Sequence, residues 1–531
     1  MIDDTVLRHL DQIELKGAAK PPAPRGGSPT GSTLWGASRI ALLLLLLPAA
    51  LSAQIVVDTT TDELNGGATS GSCSLREAIT NANSDSGAQA DCGAGVGSDV
   101  ITLPAGTYTL TRGGTLENGN ATGDLDVTDG DGLTINGAGS ATTIIQAGTT
   151  TTNGIDRVID VFGDLTLNGV TVRHGRLNFA DAGSAFGAGI NILDATVMIT
   201  DSVITLNNVL DTGSCSNSCG AGGIGNTNGT LTLTNSVVSS NTAFEFGGGI
   251  CTGDFNLGSG AGSVTLDNST LSGNSAPLGG GMEISSLNLG TPIINIVEST
   301  VSGNSATMLQ GGGIINTGGT LTILSSDVTG NTATAGVGDG GGIANITGTL
   351  DVVNSTISGN SAADEGGGLY AANLRIRSST IAGNSAVNAG GGLTALGITA
   401  ADVQNSIFTG NSATSDDDCF QDPAAINGSN NLVDDFASGG CSGTSTAAVT
   451  NFDPTLANNG GPTLTHALLA GSNAIDTGAG GCPDHNDTPL PRDQRLFLRG
   501  NGVGQGGAQC DIGAFEFDSA VPVELMRFSV E

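Results

Sequence analysis

Four aspartates, Asp124, Asp126, Asp129 and Asp131, fall within the run Gly-Asp-Leu-Asp-Val-Thr-Asp-Gly-Asp-Gly. Carboxylates alternating beside glycines can gather hard oxygen ligands around a calcium ion. The run lacks the EF-hand spacing and its bidentate Glu, so an acidic strand and turn is the preferred, plainer reading. Asp416-Asp417-Asp418, just before Cys419, reads in the same way as a solvated turn. Arg375 and Arg377 alternate with Leu374 and Ile376. Alternation aims both guanidinium groups out of one strand, where they could hold an acidic sugar beside a carboxylate-bound calcium. The plainer reading, again preferred, is an ion-paired or solvated couple opposite Asp364 and Glu365 on the neighbouring turn.

Nucleophilic catalysis needs a histidine beside Ser or Cys and an orienting acid. Beyond residue 53 the histidines are His174, His466 and His485. His466 lies in Thr-His-Ala-Leu-Leu, where packing is expected. His485, in Pro-Asp-His-Asn-Asp, could join Asp484 and Asp487 at a metal. Arg173-His174-Gly175 is too short to define a site. Gly220-Ala221-Gly222-Gly223-Ile224-Gly225 does not follow a strand-to-helix pattern, which excludes a phosphate loop.

The nine cysteines all lie beyond the apolar run near the N-terminus. Proximity pairs Cys73 with Cys92, Cys419 with Cys441 and Cys482 with Cys510. Cys215, Cys219 and Cys251 leave one thiol over. Cys215-x-x-x-Cys219 reads as a short disulfide loop in preference to a metal site, since no histidine is near in sequence. Disulfides imply an oxidising compartment. The leader agrees: Arg39 precedes the apolar run Ile40 to Leu47, and Pro48-Ala49-Ala50-Leu51-Ser52-Ala53 supplies small residues. This predicts a secretory signal cut after Ala53. The run is too short to span a bilayer, and no other stretch is apolar enough for a membrane helix.

The formal net charge is −34 over 531 residues. Lys16 and Lys20 lie in the leader, and the remaining arginines are scattered from Arg76 to Arg527. Phosphate neutralisation needs clustered cations, so nucleic-acid binding is set aside. Aromatic residues are 3% of the chain, which argues against a sugar-stacking cleft.

These candidates must be positioned by a repeat. Asn-Ser-Thr-Ile-Ser-Gly-Asn-Ser-Ala, a short turn and Gly-Gly-Gly-Ile or Gly-Gly-Gly-Leu recur through the middle of the chain. The second Asn falls at Asn241, Asn274, Asn304, Asn331, Asn360, Asn384 and Asn411. Period-2 stretches such as Leu231-Thr232-Leu233-Thr234 place Leu on one face and Thr on the other. Short strands at this spacing fit one coil of a parallel β-helix. The Asn is expected to take the left-handed conformation of a sharp corner and to stack its amide on the next coil's. The glycines permit positive φ and close approach of coils. Residues 100–415 predict about a dozen coils, a stack of roughly 50–60 Å.

Both open ends of such a stack need covering. Leu75, Ala78, Ile79 and Ala82 form one apolar face of a short helix, with Ser72 or Ser74 as N-cap, able to lie across the first coil. Cys73-Ser74-Leu75-Arg76-Glu77-Ala78 resembles the signature of the CSLREA domain of secreted bacterial repeat proteins. The repeats resemble right-handed parallel β-helix repeats of the pectin-lyase-like superfamily and the glycine-rich repeats of polymorphic outer-membrane proteins. In some β-helix lyases an arginine is the base, which is what the resemblance offers for Arg375 and Arg377. Asp453-Pro454, Asn459-Gly460-Gly461-Pro462-Thr463, Thr465-His466-Ala467-Leu468-Leu469, Ala474-Ile475-Asp476-Thr477-Gly478, Asp493-Gln494-Arg495 and Asp511-Ile512-Gly513-Ala514-Phe515-Glu516 resemble a choice-of-anchor Q domain.

The expected organisation is a leader (1–53), an N-terminal cap (54–99), β-helix repeats (100–415), a disulfide-bearing C-terminal cap (416–517) and a tail (518–531). The fold class is all-β, a right-handed parallel β-helix. The expected function is a secreted or cell-surface structural or adhesive protein. Its partners would be extracellular matrix, a glycan or a cell surface, and no cofactor beyond a calcium ion is implied. The alternative is a polysaccharide lyase or hydrolase acting on acidic glycans.

Overall fold

The computed structural model describes residues 52–517, apart from 67, 116, 179–185, 211–219, 255–261, 287–289, 398–400, 423–425, 436–439, 442–443, 446 and 501–508. The leader up to Leu51, Cys215 and Cys219, and the tail 518–531 therefore lie outside the described residues.

The chain winds as a parallel β-helix. Three parallel sheets of thirteen, eleven and twelve strands run along it, with smaller sheets of five and two strands at one corner. Each strand bonds to its equivalent one coil away. In the thirteen-strand sheet, Leu167 lies beside Ile199, Ile199 beside Leu233, and Leu233 beside Leu266. The column continues through Ile296, Ile323, Val352, Ile376 and Val403. These side chains are buried and belong to one continuous aliphatic core. Period-2 alternation does this: it turns every second residue inward, and coil stacking aligns the inward residues. Twelve steps of about 4.8 Å make the stack about 58 Å long. It begins with Gln54–Val56, which pairs with Asp99–Leu103, and ends with Ile426–Ser429 and Leu432–Val433.

Two side-chain ladders hold the corners. The backbone N–H and Nδ2 of Asn241 both donate to Oδ1 of Asn274, each at 3.0 Å. Nδ2 also donates to the carbonyl of Ile204 in the preceding coil. The pattern repeats from Asn274 to Asn304, Asn331, Asn360, Asn384 and Asn411. Asn207 precedes it. The left-handed conformation expected of these asparagines sits elsewhere. It falls on the residue before each of them, Ser240 or a glycine such as Gly303 (φ +61°) and Gly330 (φ +62°), and on Asn268, Asn354 and Asn405 of the Asn-Ser corner. The ladder asparagine turns its side chain into the rod, so the chain reverses one residue earlier. The serine of the Asn-Ser corner builds the second ladder, which the repeat pattern alone does not reveal. The N–H groups of Ser236, Ser269, Ser299 and Ser326 each donate to the serine Oγ one coil on.

Glycines carry the tight corner between sheets. A Cβ at Gly312 would lie 2.3 Å from the Gly341 carbonyl oxygen and 2.5 Å from the Thr332 carbonyl carbon. Both neighbours are backbone and cannot move aside.

The helix Leu75–Asn83 covers the first coils. Ser74 is its N-cap, and Glu77 completes a capping box. Leu75, Ala78, Ile79 and Ala82 are buried, as the spacing predicts. The disulfides Cys73–Cys92, Cys419–Cys441 and Cys482–Cys510 are formed.

The segment after Val433 covers the last strands and then lies back along the flank of the rod. Val433 N–H donates to Ala447 O, which covers the free edge. Farther on, Gln494 Oε1 accepts from Thr356 Oγ1 at 2.6 Å, and Arg499 Nη2 donates to Asn354 Oδ1 at 2.7 Å. Gly513 N–H donates to Asn405 O.

Candidate functional site

Coil stacking regroups the N-terminal aspartates. Asp126, in the strand Leu125–Val127, lies directly beside Asp160 of Ile159–Val161. Asp124 joins them, so that one carboxylate oxygen from each of Asp124, Asp126 and Asp160 lies within 4.8 Å of the others. Asp129 and Asp131 do not belong to this group. Asp129 Oδ1 accepts the Asp131 N–H and closes a turn of its own. Strand periodicity separates the two pairs, and the third carboxylate comes from the next coil.

The group is buried: Asp126 is 0% exposed, Asp124 5% and Asp160 6%. Arg157 lies among them, with Nη1 at 2.6 Å from Asp160 Oδ2 and Nε at 3.2 Å from Asp124 Oδ2. Asn191 Nδ2 donates to Asp160 Oδ1 at 2.8 Å. Asn120 N–H donates to Asp126 Oδ2 at 2.7 Å, while Asp126 Oδ1 has no hydrogen-bond partner. Burial is the main force raising the Asp126 carboxyl to about 7, opposed by the Asn120 N–H and reinforced by Asp160 and Glu117. Burial likewise raises Asp124 and Asp160, against the pull of Arg157.

The cap helix grips this region. Arg76 is fully buried, ion-paired to Asp62 at 2.6 Å, and donates to the carbonyls of Asp124 (2.7 Å) and Gly123 (2.8 Å). Asn83 Nδ2 donates to Asp126 O, and Asn120 Nδ2 to Arg76 O. The run from Cys73 to Ala78 is thus structural throughout. In order, its residues supply a disulfide, an N-cap, a core side chain, the clamp, the capping box and a second core side chain.

Arg375 and Arg377 are ion-paired, with partners other than the sequence suggested. Arg375 forms a bidentate pair with Asp351 (2.6 and 2.9 Å), and its Nη1 donates to His485 O at 3.0 Å. Arg377 pairs with Asp402 and is buried. In a parallel stack the nearest groups belong to the adjoining strands rather than to Asp364 and Glu365: Asp351 is in register with Arg375, and Asp402, in register with Arg375 on the other side, is reached diagonally by Arg377.

His466 Nε2 lies 2.9 Å from Ser358 Oγ, and its Nδ1 lies 3.1 Å from the Asp453 carbonyl. Burial lowers the imidazole's pKa. The neutral ring donates from Nδ1 and accepts the serine hydroxyl. Its orienting partner is a backbone carbonyl, and both side chains are buried, so the pair fastens the C-terminal segment to the rod. His174 Nδ1 lies 2.9 Å from the Gly148 carbonyl. Asp484 Oδ1 accepts the N–H groups of Asn486 and Thr488, and His485 Nε2 faces Asn486 Nδ2. Asp418 is buried rather than solvated: it accepts from Asn411 Nδ2 and ends the asparagine ladder. Cys251 is free and buried, and its thiol donates to Glu283 Oε2 at 2.8 Å.

No protein-family model matches the chain, and no curated protein does. Among solved structures, the crystal structure of pectate lyase Pel9A is similar, with 16% sequence identity and a TM-score of 0.38 over 88% of this chain and 98% of that one.

Proposed function

We propose that the chain is a structural or adhesive protein of the extracellular space or cell surface. The supporting observation is the outer face of the thirteen-strand sheet. There the outward residues stack in rows, with Thr166, Met198, Thr232, Thr265, Asn295 and Thr322 in one register. Hydroxyl and amide groups recurring about every 4.8 Å along a rigid face can hydrogen-bond an extended polymer or a second flat surface. The disulfides are compatible with an oxidising compartment. No described helix is long and apolar enough to cross a membrane. The test is binding of the full chain to immobilised glycans and matrix proteins, comparing the native chain with Thr232→Lys and Thr265→Lys. Loss of binding in the variants is expected, and binding unchanged by both would count against the face.

One observation favours a second reading, a lyase or hydrolase of acidic glycans. Arg375 keeps 40% of its side chain exposed in the outward row Asp351, Arg375 and Asp402. Incubation with a panel of uronate polymers, with and without calcium, separates the two. Unsaturated product lost in Arg375→Ala supports the second reading.

A further inference from the structure

The cluster under the N-terminal helix has an unbalanced charge. Asp124, Asp126 and Asp160 bring three carboxylates, and the guanidinium of Arg157 pairs with two of them. Arg76 is committed to Asp62 and to two backbone carbonyls, and Arg112 donates to the Ala121 carbonyl. Removing several like charges from water with one counter-charge is costly unless something else compensates.

A second observation says where compensation belongs. Asp126 is fully buried, one of its oxygens is held by Asn120 N–H, and the other, Oδ1, meets no donor. Buried carboxylate oxygens are ordinarily satisfied. The three carboxylates offer oxygens within 4.8 Å of one another, the separation that two ligands reach across an ion at about 2.4 Å each.

We propose that Asp124, Asp126 and Asp160 hold a hard divalent cation, calcium or magnesium, that locks the N-terminal helix onto the first coils. The three ligands come from the loop and strand at 124–126 and from the next coil, so the ion cross-links two laps. The helix is coupled to it because Arg76 and Asn83 bind the backbone carbonyls of Asp124 and Asp126. Asn191 holds Asp160 Oδ1, and Arg157, between Asp160 and Asp124, fixes both carboxylates in place.

The test uses the full chain stripped with a chelator and then titrated with calcium or magnesium alone. Calorimetry should show one ion bound per chain and a higher Tm, and comparison of the two titrations identifies the preferred ion. Asp126→Asn should weaken binding by more than the roughly 10–100-fold typical of outer-shell changes. Asp129→Asn should leave it intact. If Asp126→Asn does not fold, hydrogen exchange on the native chain replaces it. Added metal should slow exchange at 75–83 and 120–127 and leave the coils around Asn360 unchanged. Absence of stoichiometric binding, or protection spread evenly over the rod, overturns the proposal. So does binding retained in Asp126→Asn but lost in Asp129→Asn.

Discussion

Asn304 offers two donors, its backbone N–H and its Nδ2, to one acceptor, Oδ1 of Asn331, at 3.0 and 2.9 Å. Asn331 passes the same arrangement to Asn360 and also donates to the Val301 carbonyl. Replacing Asn331 by Ala leaves two or more buried polar groups without partners at about 1–3 kcal/mol each. A loss of about 3–5 kcal/mol is expected, against about 0.5 kcal/mol or less for the outward Thr322→Ala. Thermal and urea unfolding of the two variants check it, and equal midpoints would remove the ladder from the stability account.

Two glycine positions of the repeat should respond in different ways to alanine. At Gly312 the new methyl meets backbone of the following coil at two places, 2.3 and 2.5 Å away, so the coils must separate. At Gly359 (φ +64°) nothing lies within 4 Å, and the cost is the left-handed backbone alone, about 1–2 kcal/mol. Gly312→Ala is expected to lower Tm well beyond Gly359→Ala. The reverse order would mean that conformation, rather than coil contact, dominates the triplets.

Arg76 and Asp62 form a buried ion pair. Removing one partner strands the other charge, at about 3–5 kcal/mol. Arg76→Met is therefore expected to loosen the helix and expose 75–92 to protease. Asp62→Leu in the same chain should restore only part of the loss, because it removes the unpaired charge but also the acceptor of the Thr111 and Arg112 N–H groups. A double variant no more stable than Arg76→Met would show that the carbonyl contacts carry the clamp.

Asp327 gives a pH dependence. Burial is the main cause raising its carboxyl to about 6, offset in part by the hydroxyls of Thr300 and Thr329. Between its ordinary value near 4 and about 6, the folded chain holds a proton that the unfolded chain has lost, so this group's contribution falls as pH rises. Two units amount to about 3 kcal/mol as an upper figure. Asp327→Asn should flatten the decline in Tm between pH 4 and 6. An unchanged slope would assign the dependence to other carboxyls.

The coil architecture was legible because strand alternation and the Asn and Gly repeats report directly on inward faces and corners. The Asn-Ser corner was equally visible, yet its serine ladder was not, since a hydroxyl gives no hint from sequence that it will meet an N–H one coil away. Asp160 was missed for a related reason. It becomes Asp126's neighbour only through the register of the first coils, whose repeats lack the Gly-Asn signature. The partners of Arg375 and Arg377 also depended on register. The docking of Gln494 and Arg499 on Thr356 and Asn354 joins residues more than a hundred positions apart, and no local pattern encodes it.

The asparagine ladder has a direction. Every amide from Asn207 onward gives one hydrogen to the next side chain on the C-terminal side and the other back to a carbonyl of the preceding coil, and the last side-chain recipient is Asp418, a group with none to pass on. A lap that carries both Asn and Ser can therefore be inserted or deleted whole, with the sequence of donors closing over the gap. A partial lap leaves hydrogens with no destination. Evolution can lengthen or shorten this molecule only in integers.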